Sequence, residues 1–119
     1  MFLEKLSQIS GRIDGALALS LIDKDGIAVE SVSADAELDI ELLAAELITQ
    51  ARNISDHHRE LAVGDVNQLS VSTDELTLIV STVAPGYYLL LVLSPRGNYG
   101  RARFELRRAR LLLEKDLFL

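Results

Sequence analysis

The sequence predicts an α/β fold of the α+β kind, a single five-stranded, mostly antiparallel sheet with helices on both of its faces. Three observations predict it. Five short runs of alternating or wholly apolar residues are interleaved with three helical periodicities, in the order α-β-β-α-β-β-β-α. One of those runs, YYLLLVL at residues 87–93, is apolar at every position, as expected of a mid-sheet strand with both faces covered. The chain has 119 residues and is 49% hydrophobic, which is enough apolar surface for one compact domain spanning residues 1–119.

The elements follow in chain order. Phe2, Leu6, Ile9 and Ile13 recur at helical spacing, so residues 1–10 form a short amphipathic helix that stops near Gly11. Residues 16–22 and 27–32 alternate and read as two strands joined by Asp23-Lys24-Asp25-Gly26. That corner resembles part of a calcium loop. With Gly26 as the sixth loop position, however, the first and twelfth ligands fall on Leu21 and Val32, whose side chains carry no oxygen. A hairpin turn in which glycine takes a positive φ fits instead.

Residues 38–59 carry the longest helical pattern, with Asp39 as N-cap and Ile40, Leu43, Ala44, Leu47, Ala51 and Ile54 on one core-facing stripe. Residues 66–73, 76–83 and 87–93 are then strands of an antiparallel meander, separated by turn-forming TDE and APG. After SPRGNYG the chain is helical, with Ala102, Leu106, Ala109, Leu113 and Leu117 at steps of three and four.

Charge and composition exclude several functions. The net charge of −6 opposes general attraction to nucleic acid or anionic lipid, and no apolar run reaches the roughly 18 residues a membrane span needs. With no cysteine there is no disulfide framework and no thiolate chemistry. The first residues, with Glu4 and Lys5, do not read as a signal peptide, so a cytoplasmic location without membrane insertion is expected. Phosphate-cradling glycine motifs do not occur, and no nucleophile, base and orienter set can be assembled. The chain is therefore expected not to be an enzyme and to bind no cofactor. His57 and His58 are the only histidines; adjacent helical residues diverge by about 100°, so they make a poor metal pair.

Two surfaces stand out. Besides its core stripe the central helix has Leu38, Leu42 and Ala45 on nearly the opposite side, near Glu41, Thr49 and Arg52, which points to a subunit interface. The last segment is locally basic: residues 96–119 hold seven basic and three acidic groups, whereas residues 1–95 hold five and fifteen. Its simplest explanation is a solvated helix face that pairs with acidic neighbours. Phe104, Leu111 and Phe118 form a ridge every seven residues there, and Phe2, Leu6 and Ile9 of the first helix are expected to cover it.

The order of elements, GALALSLIDKDGIAVES near the start and NYGRARFELRRARLLLEK at the end together resemble the roadblock domain family, which includes dynein light chain and bacterial polarity-regulator relatives. Gly15, the Asp23 to Gly26 turn, the alanines of the central helix, and Asn98, Gly100 and Arg103 carry the resemblance, which covers nearly the whole chain. It implies a roadblock/profilin-like sheet with the central helix on one face and the terminal helices on the other. It also implies a homodimer in which central helices lie side by side and third strands pair, with Leu38, Leu42, Ala45, Thr49, Val66 and Leu69 at the interface. The implied partner is a Ras-like small GTPase, which the dimer regulates or scaffolds; GTPase activation would proceed by repositioning the partner's own residues. Glu46, Arg52, Asn53, Asp56 and His57 are the residues available to that partner. The alternative is a small-molecule sensor or adaptor module of similar α/β fold, which needs an apolar cavity with converging polar groups.

Overall fold

The computed structural model describes residues 2–34 and 37–117. It contains α1 (Phe2–Gly11), β1 (Ala16–Asp23), β2 (Ala28–Ser33), α2 (Ile40–Glu60), β3 (Gln68–Ser72), β4 (Thr77–Ala84), β5 (Tyr87–Leu93) and α3 (Tyr99–Leu117). The strands form one sheet in the order β2-β1-β5-β4-β3, and every pairing is antiparallel. The predicted order of elements is therefore observed, and the all-apolar run lies at the centre of the sheet. The third strand is shorter than expected: Val66 and Asn67 precede it, although their carbonyls still accept from Thr82 Oγ1 (3.2 Å) and Thr82 N–H (2.9 Å).

Period-two alternation in the central strands divides the core in two. Leu19, Leu21, Ile79, Val83, Leu89 and Leu91 face α1 and α3 and pack with Leu6, Ile9, Leu106 and Leu113. Ala18, Ile22, Leu78, Val80, Leu90 and Val92 face α2 and pack with Ala44, Leu47 and Ile48. Leu89, Leu90, Leu91 and Val92 are consecutive and all at most 1% exposed, so β5 contributes to both cores along its length.

The DKDG corner is a turn. Asp23 Oδ1 accepts from the N–H of Asp25 (2.9 Å) and of Ile27 (3.1 Å), and Gly26 has φ +81°. The Asp23 carboxylate, the third position of a metal loop in that alignment, is committed to its own backbone. Asp39 caps α2 as expected, its Oδ1 accepting from Leu42 N–H at 3.0 Å, and Asn98 does the same for Arg101 at the start of α3 (2.9 Å).

The terminal helices lie side by side, and their contact differs from the expectation. Lys5 reaches the Leu112 carbonyl and the Asp116 carboxylate, and Arg12 lies 4.0 Å from Glu105. Residues 105, 112 and 116 mark one flank of α3, whereas Phe104 and Leu111 point straight away from the sheet and are 53% and 70% exposed. Two helices resting on the same sheet meet through their flanks, so α1 leaves the Phe104–Leu111 ridge uncovered. Leu6 and Ile9 are instead buried in the core against the strands, and Phe118 lies outside the described residues. On the shared flank Glu105 is 1% exposed and 2.8 Å from Arg101, with Arg108 at 4.0 Å. Cations of α3 and of the turn after α1 thus stand around one buried carboxylate and partly offset the cost of removing it from water.

Gly15 locks the two ends of the chain together. It has φ +85°, its carbonyl accepts from Ser94 N–H at 2.8 Å, and a Cβ placed on it would lie 2.5 Å from Gly97 Cα. The obstacle is backbone, which cannot rotate aside. Gly15→Ala is expected to cost about 2–4 kcal/mol from the positive φ and the overlap together. Urea unfolding checks this: the midpoint should fall markedly, whereas Gly11→Ala, with nothing within 4 Å of its added Cβ, should leave it nearly unchanged.

Candidate functional site

The candidate site is built from the outward side of α2 and the strand edge beside it. The inward stripe of α2, Ala44, Leu47, Ile48 and Ala51, is buried and fixes the helix on the sheet. The opposite side is then set by geometry: Leu42, Thr49, Asn53 and Asp56 follow one another at steps of seven, four and three. All four are exposed, Leu42 at 64%, which is unusual for a leucine in a helix otherwise well docked. Glu46, Arg52 and His57 are exposed on either side of that line, and His58 is half-buried.

Two of the interface residues expected from the sequence lie elsewhere than on the outward side of α2. Leu38 precedes the helix, is half-buried and packs against the α2-side core. Ala45 is exposed but sits over the β1–β2 turn, its Cα 3.5 Å from the position a Gly26 Cβ would take. Thr49 Oγ1 donates to the Ala45 carbonyl at 2.8 Å, so this hydroxyl is bonded within the helix.

β3 is the outer strand at one end of the sheet. Its register with β4 opposes Gln68 to Ser81, Leu69 to Val80 and Val71 to Leu78. Asn67 O accepts from Thr82 N–H and Thr73 N–H donates to Leu76 O, which sets the parity of the ladder: residues 67, 69, 71 and 73 turn their backbone groups toward β4. Gln68, Ser70 and Ser72 therefore direct N–H and C=O outward, away from the sheet. An outward row of backbone donors and acceptors is a template for another strand. On the α2 side of this edge Leu69 is half-buried and Val71 is 38% exposed. The opposite side carries Gln68 and Ser70, held by Arg103 Nε (3.0 Å to Gln68 Oε1) and Tyr99 Oη (2.8 Å to Ser70 Oγ) of α3.

An open groove of about 580 Å³ separates the C-terminal half of α2 from β3 and β4. Arg52, Asp56, Val66, Leu69 and Tyr88 line it. It joins Arg52 and Asp56 to Val66 and Leu69, residues the sequence analysis placed in two different surfaces, whereas Glu46, Asn53 and His57 lie outside it. Arg59, which sequence reasoning passed over, holds one wall together: it is 3.6 Å from Asp56 and 3.3 Å from Asp65. An arginine three residues after an aspartate on a helix is a readable signal for such a pair. Arg52 and Arg110 both line the groove and have no ion-pair partner among the described residues, so Arg52 is the available cation that α2 itself contributes to the wall. Within the same residues no three His, Asp or Glu side chains are grouped to hold a metal ion, and no helix is long and apolar enough to cross a membrane.

No family model and no curated protein sequence matches the chain. Solved structures do. The chain is similar to MglC from Myxococcus xanthus, with 32% identity over 97% of this chain and 98% of that one and a TM-score of 0.71. It is similar to a Roadblock/LC7 domain from Streptomyces avermitilis at 20% identity over 98% of both chains, with a TM-score of 0.88. It is also similar to an MglB with tetrameric arrangement, at 19% identity over 95% of this chain and 85% of that one, TM-score 0.86.

Proposed function

Because the chain belongs to the roadblock domain family, we propose that it is a homodimeric regulator or scaffold of a Ras-like small GTPase. The observation that carries the dimer is the outward backbone of Gln68, Ser70 and Ser72; a groove joins this edge to the C-terminal half of α2, a helix whose outward side also exposes Leu42 at 64%. Antiparallel pairing of β3 with its copy about a two-fold axis gives each of those groups a partner and continues the sheet across two chains. The α2 helices then meet along Leu42 and Thr49, and Val66, Leu69 and Val71 are covered. The tetrameric arrangement of a similar MglB supports self-association as a habit of the fold.

The GTPase docks over the paired α2 helices, where Glu46, Arg52, Asn53, Asp56 and His57 are exposed. The partner supplies the nucleotide, the magnesium ion and most of the reacting groups. Charge gathers on the γ-phosphate in the transition state, so an activator either inserts a cation or repositions the partner's water-orienting residue. Arg52 is the cation at hand, but it lies in the groove wall beside the β3 edge rather than at a projecting tip, which favours repositioning. The sensor alternative draws no support from the grooves, which are open and lined by charged and polar side chains together with apolar ones.

The dimer has a two-part test by light scattering. Leu42→Glu places a charge against its symmetry mate, and Ser70→Pro removes an outward N–H while leaving every bond to β4 in place. Both variants are expected to keep the native circular dichroism spectrum and to fall to half the wild-type mass. A folded Ser70→Pro protein at unchanged mass contradicts pairing through this edge.

The role of Arg52 is read by single-turnover GTP hydrolysis with the partner at saturating dimer. Arg52→Ala is expected to weaken binding modestly and to leave the hydrolysis rate of the bound partner largely intact. A drop of about 10³-fold at unchanged affinity would instead identify an arginine finger.

A further inference from the structure

On the other side of the sheet α3 carries a second charged surface, which meets the α2-side groove only at Asn67, Thr82 and Arg110. Tyr99, Arg103, Arg107 and Arg110 follow at steps of four, four and three along the flank of α3 that faces β3, opposite the flank that meets α1. Below them lie Asn67 and Gln68 of the β3 side and Ser81 and Thr82 of β4, and Leu111 closes one end. Together they enclose an open trough of about 650 Å³ with three guanidinium groups and no carboxylate in its lining.

The arginines of α3 are sorted by flank. Arg101 and Arg108 turn to Glu105, at 2.8 and 4.0 Å. Arg103 is fixed by Gln68 and by the Tyr99 ring, 5.7 Å from its guanidinium carbon. Arg107 and Arg110 have no ion-pair partner among the described residues. The solvated-face explanation accounts for the first pair and not for these. On a chain with eighteen acidic and twelve basic residues, the only carboxylates sharing a groove with either arginine are Asp56 and Asp65, which line the α2-side groove with Arg110 and are paired to Arg59. The cluster therefore has its own uncompensated positive field on an otherwise acidic protein.

We propose that this trough is a binding site for an acidic peptide segment of a partner protein, laid along α3. Three arginines over two helical turns, about 10 Å, match carboxylates on successive turns of a helix or on alternate residues of an extended chain. Guanidinium groups bind carboxylates through paired hydrogen bonds, and Gln68, Ser81 and Thr82 make the floor beneath them polar and uncharged. Leu111, 70% exposed at the rim, and Phe104, 53% exposed above it, take an apolar residue of the same segment. A concave site only this long, on a chain of net charge −6, suits a short acidic segment better than a membrane plane or a long polyanion. The site is complete within one chain and stands whether or not β3 pairs with a copy.

Fluorescence anisotropy with a labelled peptide of glutamates around a central leucine tests it, with the glutamine counterpart and phosphatidylserine vesicles as competitors. Saturable binding of the glutamate peptide is expected, weakened by salt and not competed by the other two. Arg107→Ala combined with Arg110→Ala should weaken it about tenfold or more, whereas Arg96→Ala, which removes a cation outside the trough, should change it less than about twofold. Both arginines are exposed, so the double variant is expected to keep the wild-type thermal midpoint and mass, which separates this site from the β3 edge. The proposal is overturned by the absence of saturable binding, by a double variant that binds as the wild type does, by equal loss in Arg96→Ala, or by effective competition from the vesicles or the glutamine peptide.

Discussion

The structure depends on burial of β5 from both sides. Its residues 89–92 are apolar, consecutive and closed to solvent, which demands a helix layer on each face and forbids an edge position. Everything else follows from meeting that demand with a short chain. One long helix, α2, covers one face, while α1 and α3 share the other, and β1 and β4 flank β5 because they too carry apolar residues on both faces. The outer strands inherit the less apolar sequences, QLSVS in β3 and AVESVS in β2. The sheet therefore ends in strands that are half covered, and β3 ends it with backbone groups directed into solvent beside the exposed Val71.

The two faces solve their electrostatics differently, and the difference separates two surfaces. On the α2 side Arg59 pairs with Asp56 and Asp65 and Arg52 is left available at the groove wall. On the α3 side Glu105 draws cations from one flank and from the turn after α1, which fastens the terminal helices together at the cost of burying a carboxylate. The other flank is left basic over the polar side of β3. The edge strand thus has a neutral, apolar side and a polar side under arginines, and the grooves on the two sides meet at Asn67, Thr82 and Arg110.

Much of this was legible in the sequence because it rests on periodicity and local bonding. The Asp39 cap, the DKDG turn, the α2 stripe and the central place of YYLLLVL are each fixed by residues close together in the chain. What could not be read was how elements lie on one another. Helical spacing identifies Phe104 and Leu111 as a ridge opposite the core but does not say that α1 meets the flank of α3 instead. The same spacing groups Ala45 with Leu42, although the β1–β2 turn reaches over Ala45 alone. The division of the α3 arginines is likewise a tertiary property, since only the position of β3 separates Arg107 and Arg110 from Arg101 and Arg108.

The central claim is that the outward backbone of β3 is completed by a second copy of the chain. Amide hydrogen exchange resolved to single residues measures it directly, because within one strand the two parities act as each other's control. Leu69 and Val71, bonded to β4, should be protected at every protein concentration; Gln68, Ser70 and Ser72 should be protected when the protein is concentrated and exchange fast on dilution. Fast exchange of Gln68, Ser70 and Ser72 at all concentrations, beside protected Leu69 and Val71, would contradict the claim.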